Sequence, residues 1–324
     1  MKVCHWSAYV GSGQNNVVEL LANAEKALGL DSHVVDIYGT YDADQWSDSD
    51  VHVAHTHFPY KRMQRISQKP FKVVWVGHGV PEHLFETSVE ESRMGYGHGD
   101  PWMLFQFWLQ HADARVTFWP RHKALMETMV DKGVPIHLVP LGVDKAFWEA
   151  GGSQGKYQGN PSVWSGESCY PMKWPIDLFL LWPWIIKELD EAVLHVNFLD
   201  ISYHRWFFPL VNRNGVSYSS HISPVSMARS QLCNTFKSVD FMIGLVKKGD
   251  FNNLSLEANA TGCKTISYPG NPYSAYWVTE GDQRTTAKEL IAIFKGEVEP
   301  REREPVPDIS TTAEKMMEVY GSIL

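Results

Sequence analysis

The stretch from Val239 to Pro269, VDFMIGLVKKGDFNNLSLEANATGCKTISYP, constrains the fold more than any other part of the chain. Residues 241–246 are an apolar run short enough for a buried strand. A polar loop with one glycine follows at 247–253. Leu254, Leu256, Ala258 and Ala260 then open a short small-residue helix that stops at Gly262. Residues 264–268 are a second β-prone run, closed by Pro269 and Gly270. Strand, loop, helix, strand is the unit of a parallel sheet with crossover helices, so the chain belongs to the α/β class. In open sheets of this kind ligands sit outside the carboxyl ends of the strands, here beside the 247–253 loop. Glu257 is expected in the first turn of the helix, at that crevice.

The same alternation runs back to the start. Residues 1–8 predict a strand and Gly11-Ser12-Gly13 a tight loop. Val17, Leu20, Leu21, Ala24 and Leu28 form the apolar stripe of a helix ending at Gly29. Strands are expected at 32–38, 50–58, 71–79 and 114–119, and helices at 102–111 and 122–132. Residues 136–143 close the first half. Residues 150–161, rich in Gly, Ser, Gln and Asn, read as a linker. A strand opens at 162, a helix at 176–189 is expected to be interrupted at Pro183, and a strand follows at 192–199. A helix at 227–236 leads into the stretch described first, and 311–324 is a final helix. The expected domains are 1–150 and 160–310, with the 311–324 helix packing back on the first.

At 324 residues the chain has room for two domains, each with its own core. Hydrophobic content of 44% and charged content of 20% exclude a disordered chain. A net charge of −8 excludes a uniformly basic, nucleic-acid-coating surface, though not a local basic groove. Cys4, Cys169, Cys233 and Cys263 include no CxxC pair, which points to a reduced, cytoplasmic protein. Lys2 is followed by a strand-like start rather than a signal sequence, and the most apolar window, 176–186, is short and contains Pro183. No membrane span is expected.

Several side chains in this frame carry chemistry. His55 and His57, two apart on a strand, point to the same side. They invite a metal, but no nearby cysteine or carboxylate completes a ligand set, so none is expected. Lys61, Arg62, Arg65, Lys69 and Lys72 fall within 59–72 without an acid between them; this is a solvated loop or a contact for a phosphorylated acceptor such as DNA. His78-Gly79 ends a strand. Gly11 and Gly13 open a helix N-terminus whose amides could approach an anion or a substrate hydroxyl, although Asn16 replaces the third glycine of a GxGxxG fingerprint.

Taken in order, these segments resemble retaining GT-B glycosyltransferases of the family 4 type. The texture of WSAYVGSGQNN, VGHGVPEHLF, VTFWPRHK and VNRNG is similar to short phage-encoded glycosyltransferases. LEANATGCKTISYPG at 256–270 resembles the nucleotide-sugar signature, in which two glutamates stand eight residues apart. Glu257 matches the second, which in the family binds the donor ribose. Gly249 replaces the first, with Asp250 the nearest acid. DVHVAHTHF resembles the family's "DVVHAHF" strand end. His78-Gly79 resembles its "HG" turn, whose histidine faces the donor sugar, and VPLGVD at 139–144 its exit from the N-terminal domain. Lys173 matches the diphosphate-binding lysine, but Glu167 holds the arginine position. A carboxylate cannot bind diphosphate, so Lys247, Lys248, Arg205 or Arg213 would have to compensate.

The resemblance implies two Rossmann-like domains facing a central cleft. It implies transfer of a hexose or pentose, with retention, from a nucleoside diphosphate sugar (UDP- or GDP-linked) to a hydroxyl, without a bound cofactor or metal. It assigns His78, Gly11 and Gly13 to the reacting centre. Lys173 and Glu257 go to the donor by the same resemblance; Lys248, Asp250, Asn252 and Asn253 join them from the loop at the strand ends, and Lys61, Arg62 and Arg65 of the basic run, with His57, are the candidate acceptor contacts. A phage-like enzyme with a basic run suggests 5-hydroxymethylpyrimidine in DNA as acceptor, flipped from the duplex in the host cytoplasm. A glycan, lipid-linked or small-molecule acceptor is the alternative, as is a non-catalytic nucleotide-sugar-binding module.

Overall fold

The computed structural model describes residues 1–7, 13–36, 48–55, 72–78, 101–131, 133, 135–152, 155–166, 176–197, 227–247 and 253–324. The chain divides into two compact units. Met1–Val143 joins Pro307–Leu324 in the first, and Asp144–Val306 forms the second.

The first unit is built on a six-stranded sheet of β1 (Lys2–Ser7), β2 (Asp31–Asp36), β3 (Val51–His55), β4 (Lys72–Gly77), β5 (Ala114–Thr117) and β6 (Ile136–Leu138). All pairings are parallel, in the order β2-β1-β3-β4-β5-β6. Strands such as VHVAH and KVVWVG are buried on both faces because both faces are covered. One face carries Cys4, Trp6, Ala54 and Trp75 against Phe105, Trp108 and Leu109 of α2 (Pro101–His111) and Met126 of α3 (Pro120–Met129). The strand order reverses between β1 and β3, which makes their carboxyl ends a topological switch point.

The first helix, α1 (Gly13–Ala27), departs from the expected stripe. Its buried side is Val17, Val18, Leu21, Ala22 and Glu25, while Leu28 is 38% exposed. The stripe turns toward Glu25 because that carboxylate finds partners inside the unit. The helix α9 (Ile309–Ile323) packs on α1 and is tied down at its start. Val143 N–H donates to the Pro307 carbonyl at 3.1 Å, Ile309 N–H to Val143 at 2.9 Å, and Gly142 N–H to Thr312 Oγ1 at 2.8 Å. A Cβ at Gly142 would lie 2.3 Å from the Asp308 carbonyl oxygen, a backbone atom with little room to retreat. Gly142→Ala is therefore expected to cost about 1–3 kcal/mol in chemical denaturation. An unchanged midpoint would contradict this close approach.

The second unit carries a five-stranded sheet, order β11-β10-β9-β7-β8: β7 (Ser162–Ser165), β8 (Val193–Val196), β9 (Phe241–Gly244), β10 (Lys264–Ser267) and β11 (Tyr276–Trp277). Here the order reverses between β7 and β9. Val163, Leu194, Ile243 and Ile266 pack against Phe179, Trp182 and Ile185 of α5 (Ile176–Glu188) and Leu290 and Ile293 of α8 (Gln283–Phe294). The expected break at Pro183 does not occur: α5 runs through it. Proline removes one backbone bond, but Leu178, Phe179, Leu181, Trp182 and Ile185 are all buried and hold both halves to one core.

Candidate functional site

In the first unit the site residues are set by strand periodicity. His5 of β1 stands level with Val53, and His55 of β3 stands level with Val76 of β4. His55 therefore lies one same-face residue beyond His5, and His78, just past β4, one beyond His55. The three imidazoles form a diagonal file toward the carboxyl end of the sheet. His5 Nδ1 is 2.9 Å from His55 Nε2, and His55 Nδ1 is 2.8 Å from His78 Nε2. At the inner end His5 Nε2 is 2.7 Å from Glu25 Oε2, which also accepts from Ser32 Oγ at 2.7 Å. Glu25 Oε1 accepts from the Tyr320 hydroxyl at 2.7 Å.

Glu25, His5 and His55 are buried, and His78 is half-buried with its ring edge-on to Phe118. Burial alone would raise the Glu25 carboxyl. The charge of His5, with the hydrogen bonds from His5, Ser32 and Tyr320, outweighs it and holds the group below its ordinary value. Burial, with the neighbouring His78 and His5, pushes His55 well below the usual histidine range, so its ring is neutral. Both nitrogens of His55 are engaged within the file, which argues against its use as a metal ligand. Among the described residues no group of three or more His, Cys, Asp or Glu side chains is arranged to hold a metal ion.

In the second unit Glu257 lies on α7 (Asn253–Ala260), in the second turn rather than the first. Leu256 and Ala258 are buried, and Gly262, at φ 87°, ends the helix in the left-handed region. Asn259 Oδ1 accepts from Thr265 Oγ1 at 3.0 Å and Arg303 Nη1 at 2.6 Å, which fixes α7 against β10. Burial drives the Glu257 carboxyl up to about 8, with the positive field of Arg229 acting the other way. Arg229 opens α6 (Arg229–Phe236). Its guanidinium lies over the Phe147 ring at 4.3 Å and the Trp148 ring at 5.4 Å. Nη2 is 3.5 Å from Asp144 Oδ2, the carboxylate that also caps α4 (Lys145–Ala150) through Phe147 N–H at 3.1 Å. Arg229 Nε and Nη2 are buried without a hydrogen-bond partner.

A raised carboxyl has a defined sign. In the unfolded chain Glu257 ionises near 4.5, whereas in the fold it keeps its proton to about 8. Stability is expected to fall as pH rises between these values. Glu257→Gln should flatten that slope in melting curves taken from pH 5 to 9; parallel slopes for the two proteins would refute the assignment.

His78, Gly13, Asn253 and Glu257 lie among the described residues. Gly13 opens α1, and Asn253 opens α7. Gly11, His57, Lys61, Arg62, Arg65, Lys173, Lys248, Asp250 and Asn252 lie outside them, as do Arg205 and Arg213. Of the basic run, Lys72 binds Asp113 Oδ1 at 3.1 Å; of the candidate replacement cations, Lys247 pairs with Asp177 Oδ2 at 2.9 Å. Sequence reasoning missed Glu25, His5, Arg229 and Tyr320. A glutamate on the apolar stripe of α1 and a histidine inside an apolar strand were the available signals.

No family model and no curated protein sequence matches the chain. Solved structures do. Sucrose-phosphate synthase from Thermosynechococcus elongatus is 14% identical at a TM-score of 0.68, over 100% of this chain and 96% of that one. Anabaena HepE in complex with UDP-glucose is 10% identical at 0.70, over 99% and 100%. WaaG, a glycosyltransferase of lipopolysaccharide biosynthesis, is 11% identical at 0.63, over 99% and 95%. These likenesses establish the GT-B fold, with each unit a Rossmann-like parallel sheet.

Proposed function

We propose that the chain is a glycosyltransferase that moves a sugar from a nucleoside diphosphate donor to a hydroxyl, with retention of configuration. The observation that carries this reading is the end-to-end likeness to HepE, a protein solved with UDP-glucose. Two features support it. His78 stands past the carboxyl end of β4, on the side of the first sheet where the strands' carboxyl ends lie. Glu257 stands on the helix that follows β9 in the second sheet, partly buried beside a cation.

In this reading Glu257 receives the donor ribose, with Asn253, Asn252, Asp250 and Lys248 lining the same loop. Lys173 takes the diphosphate, His78 the donor sugar, and Gly11 and Gly13 the reacting centre. Arg229 is added as a diphosphate cation, since its Nε has no hydrogen-bond partner and its Nη2 has only the 3.5 Å ion pair with Asp144, in a chain where Glu167 replaces the family's arginine. Catalysis then rests on positioning and on stabilising the departing diphosphate. UDP is the donor base to test first, with GDP second. The acceptor to test first is a 5-hydroxymethylpyrimidine in DNA, contacted by Lys61, Arg62, Arg65 and His57, because that run is basic in an acidic chain. The free, buried thiols of Cys4, Cys233 and Cys263 support a reducing, cytoplasmic setting. No helix among the described residues is long and apolar enough to cross a membrane.

The test is a mass-spectrometric nucleoside digest of hydroxymethylcytosine- and hydroxymethyluracil-containing duplexes incubated with the protein and a panel of nucleotide sugars. Added hexose or pentose mass is the expected result. Free nucleoside diphosphate without that mass would keep the transferase and reject the DNA acceptor. Nucleotide-sugar binding without either product would replace the transferase by a binding module.

A further inference from the structure

The file Glu25–His5–His55–His78 runs unbroken from the interior of the first unit to a half-exposed ring. We propose that Glu25, His5 and His55 form a proton wire that governs His78, so that a proton taken up at His78 Nδ1 is stored as positive charge on His5 against the Glu25 carboxylate.

The hydrogen-bond chemistry allows two arrangements. The middle ring, His55, is neutral and carries one proton. When that proton is on Nε2, His55 donates to His5 Nδ1, and His5 donates Nε2–H to Glu25. His55 Nδ1 then accepts from His78 Nε2–H, and His78 Nδ1 is a base. When the proton of His55 is on Nδ1, every bond between rings is reversed. His5 Nδ1–H donates to His55 Nε2, His55 Nδ1–H donates to His78 Nε2, and His78 carries its proton on Nδ1. His5 then has two protons and is an imidazolium held by Glu25.

The second arrangement contains one proton more than the first. It arises when an O–H bond near His78 breaks and a bond to Nδ1 forms. The His78 Nε2 proton passes to His55 Nδ1, and the His55 Nε2 proton passes to His5 Nδ1. No ring in the middle of the file ever carries charge, which suits its complete burial. The groups facing the file among the described residues are Glu25 from α1, Tyr320 from α9, Ser32 from β2 and Phe118 beyond β5. Glu25 is the anion among them.

The wire gives His78 the capacity to accept the proton of a substrate hydroxyl while the new charge is held away from the reacting atoms. In sugar transfer the hydroxyl oxygen bonds to the anomeric carbon, and the carbon–oxygen bond to the diphosphate breaks with its electron pair on the diphosphate. The hydroxyl proton enters the wire. This use rests on the glycosyltransferase reading; the wire itself does not. Glu25, His5 and His55 are thus positioning residues that act through His78.

The experiment is a pH titration of histidine-selectively 15N-labelled full-length protein, following Nδ1 and Nε2 of each ring by two-bond 1H–15N correlation. The His78 signals are identified by their loss in His78→Gln. In the wild-type protein, the His5 and His78 signals are expected to change in one shared step. Glu25→Gln removes the counter-ion of the stored charge and should lower that midpoint by roughly 1–3 pH units. His55→Phe should uncouple His78 from His5 and restore an isolated histidine titration near about 6.5. A folded Glu25→Gln protein with an unmoved His78 midpoint would overturn the proposal. If that variant does not fold, a His78 titration unchanged by His55→Phe overturns it instead. The titration needs no turnover, so an inactive protein with a coupled file would reject only the transferase reading.

Discussion

His78→Ala is expected, on the proposed glycosyltransferase reading, to lower the rate of sugar transfer by about 10²–10³-fold in a protein that remains folded. That is the typical loss when one preorganised hydrogen-bonding group at a reacting centre is removed. The site favours a clean result. His78 lies beyond the last residue of β4 and is half-buried, so the sheet does not depend on it. Its loss leaves His55 Nδ1 without one partner, at a cost of about 1–3 kcal/mol. Circular dichroism and melting should therefore report a native fold while single-turnover transfer collapses. A rate within about threefold of wild type would remove His78 from the reacting centre.

Glu25→Leu is expected to cost about 3–5 kcal/mol in the unfolding of the first unit, because it leaves a buried, charged-group network without its anion. The leucine fills similar space but accepts nothing. His5 Nε2–H, Ser32 Oγ–H and Tyr320 O–H, now all bonded to this carboxylate, lose their acceptor together. The pH dependence provides an independent check. The Glu25 carboxyl is held below the ordinary value of 4.5, so its contribution is present above that pH and is lost as acidification passes below it. Wild-type protein should lose stability steeply below about pH 4.5, and Glu25→Leu should lose less over the same interval. A penalty below about 1 kcal/mol in urea denaturation would mean that these donors find other partners.

The sheets were legible because parallel strands covered on both faces are written as short apolar runs, and FMIG, VHVAH and KVVWVG are unmistakable in that respect. Gly262 announced the end of α7 for an equally local reason, the left-handed conformation it adopts. What resisted reading was long-range pairing. Glu25 looks like a solvent-facing residue until His5, twenty residues earlier, and Tyr320, near the far end of the chain, are known to converge on it. Pro183 misled because its local penalty is real, but five buried neighbours decide the outcome. Arg229 was invisible since nothing in its own segment signals that Phe147, Asp144 and Glu257 surround it.

The first unit is made of both ends of the chain, with the whole of the second unit inserted between Val143 and Pro307. During synthesis this inverts the order of completion. The second unit has all its residues while the first still lacks α9, because α9 follows the second unit in the chain. A nascent first unit therefore exposes the Glu25 side of α1 until α9 has been made and Tyr320 can reach that carboxylate. The inserted unit is complete before the unit that hosts it.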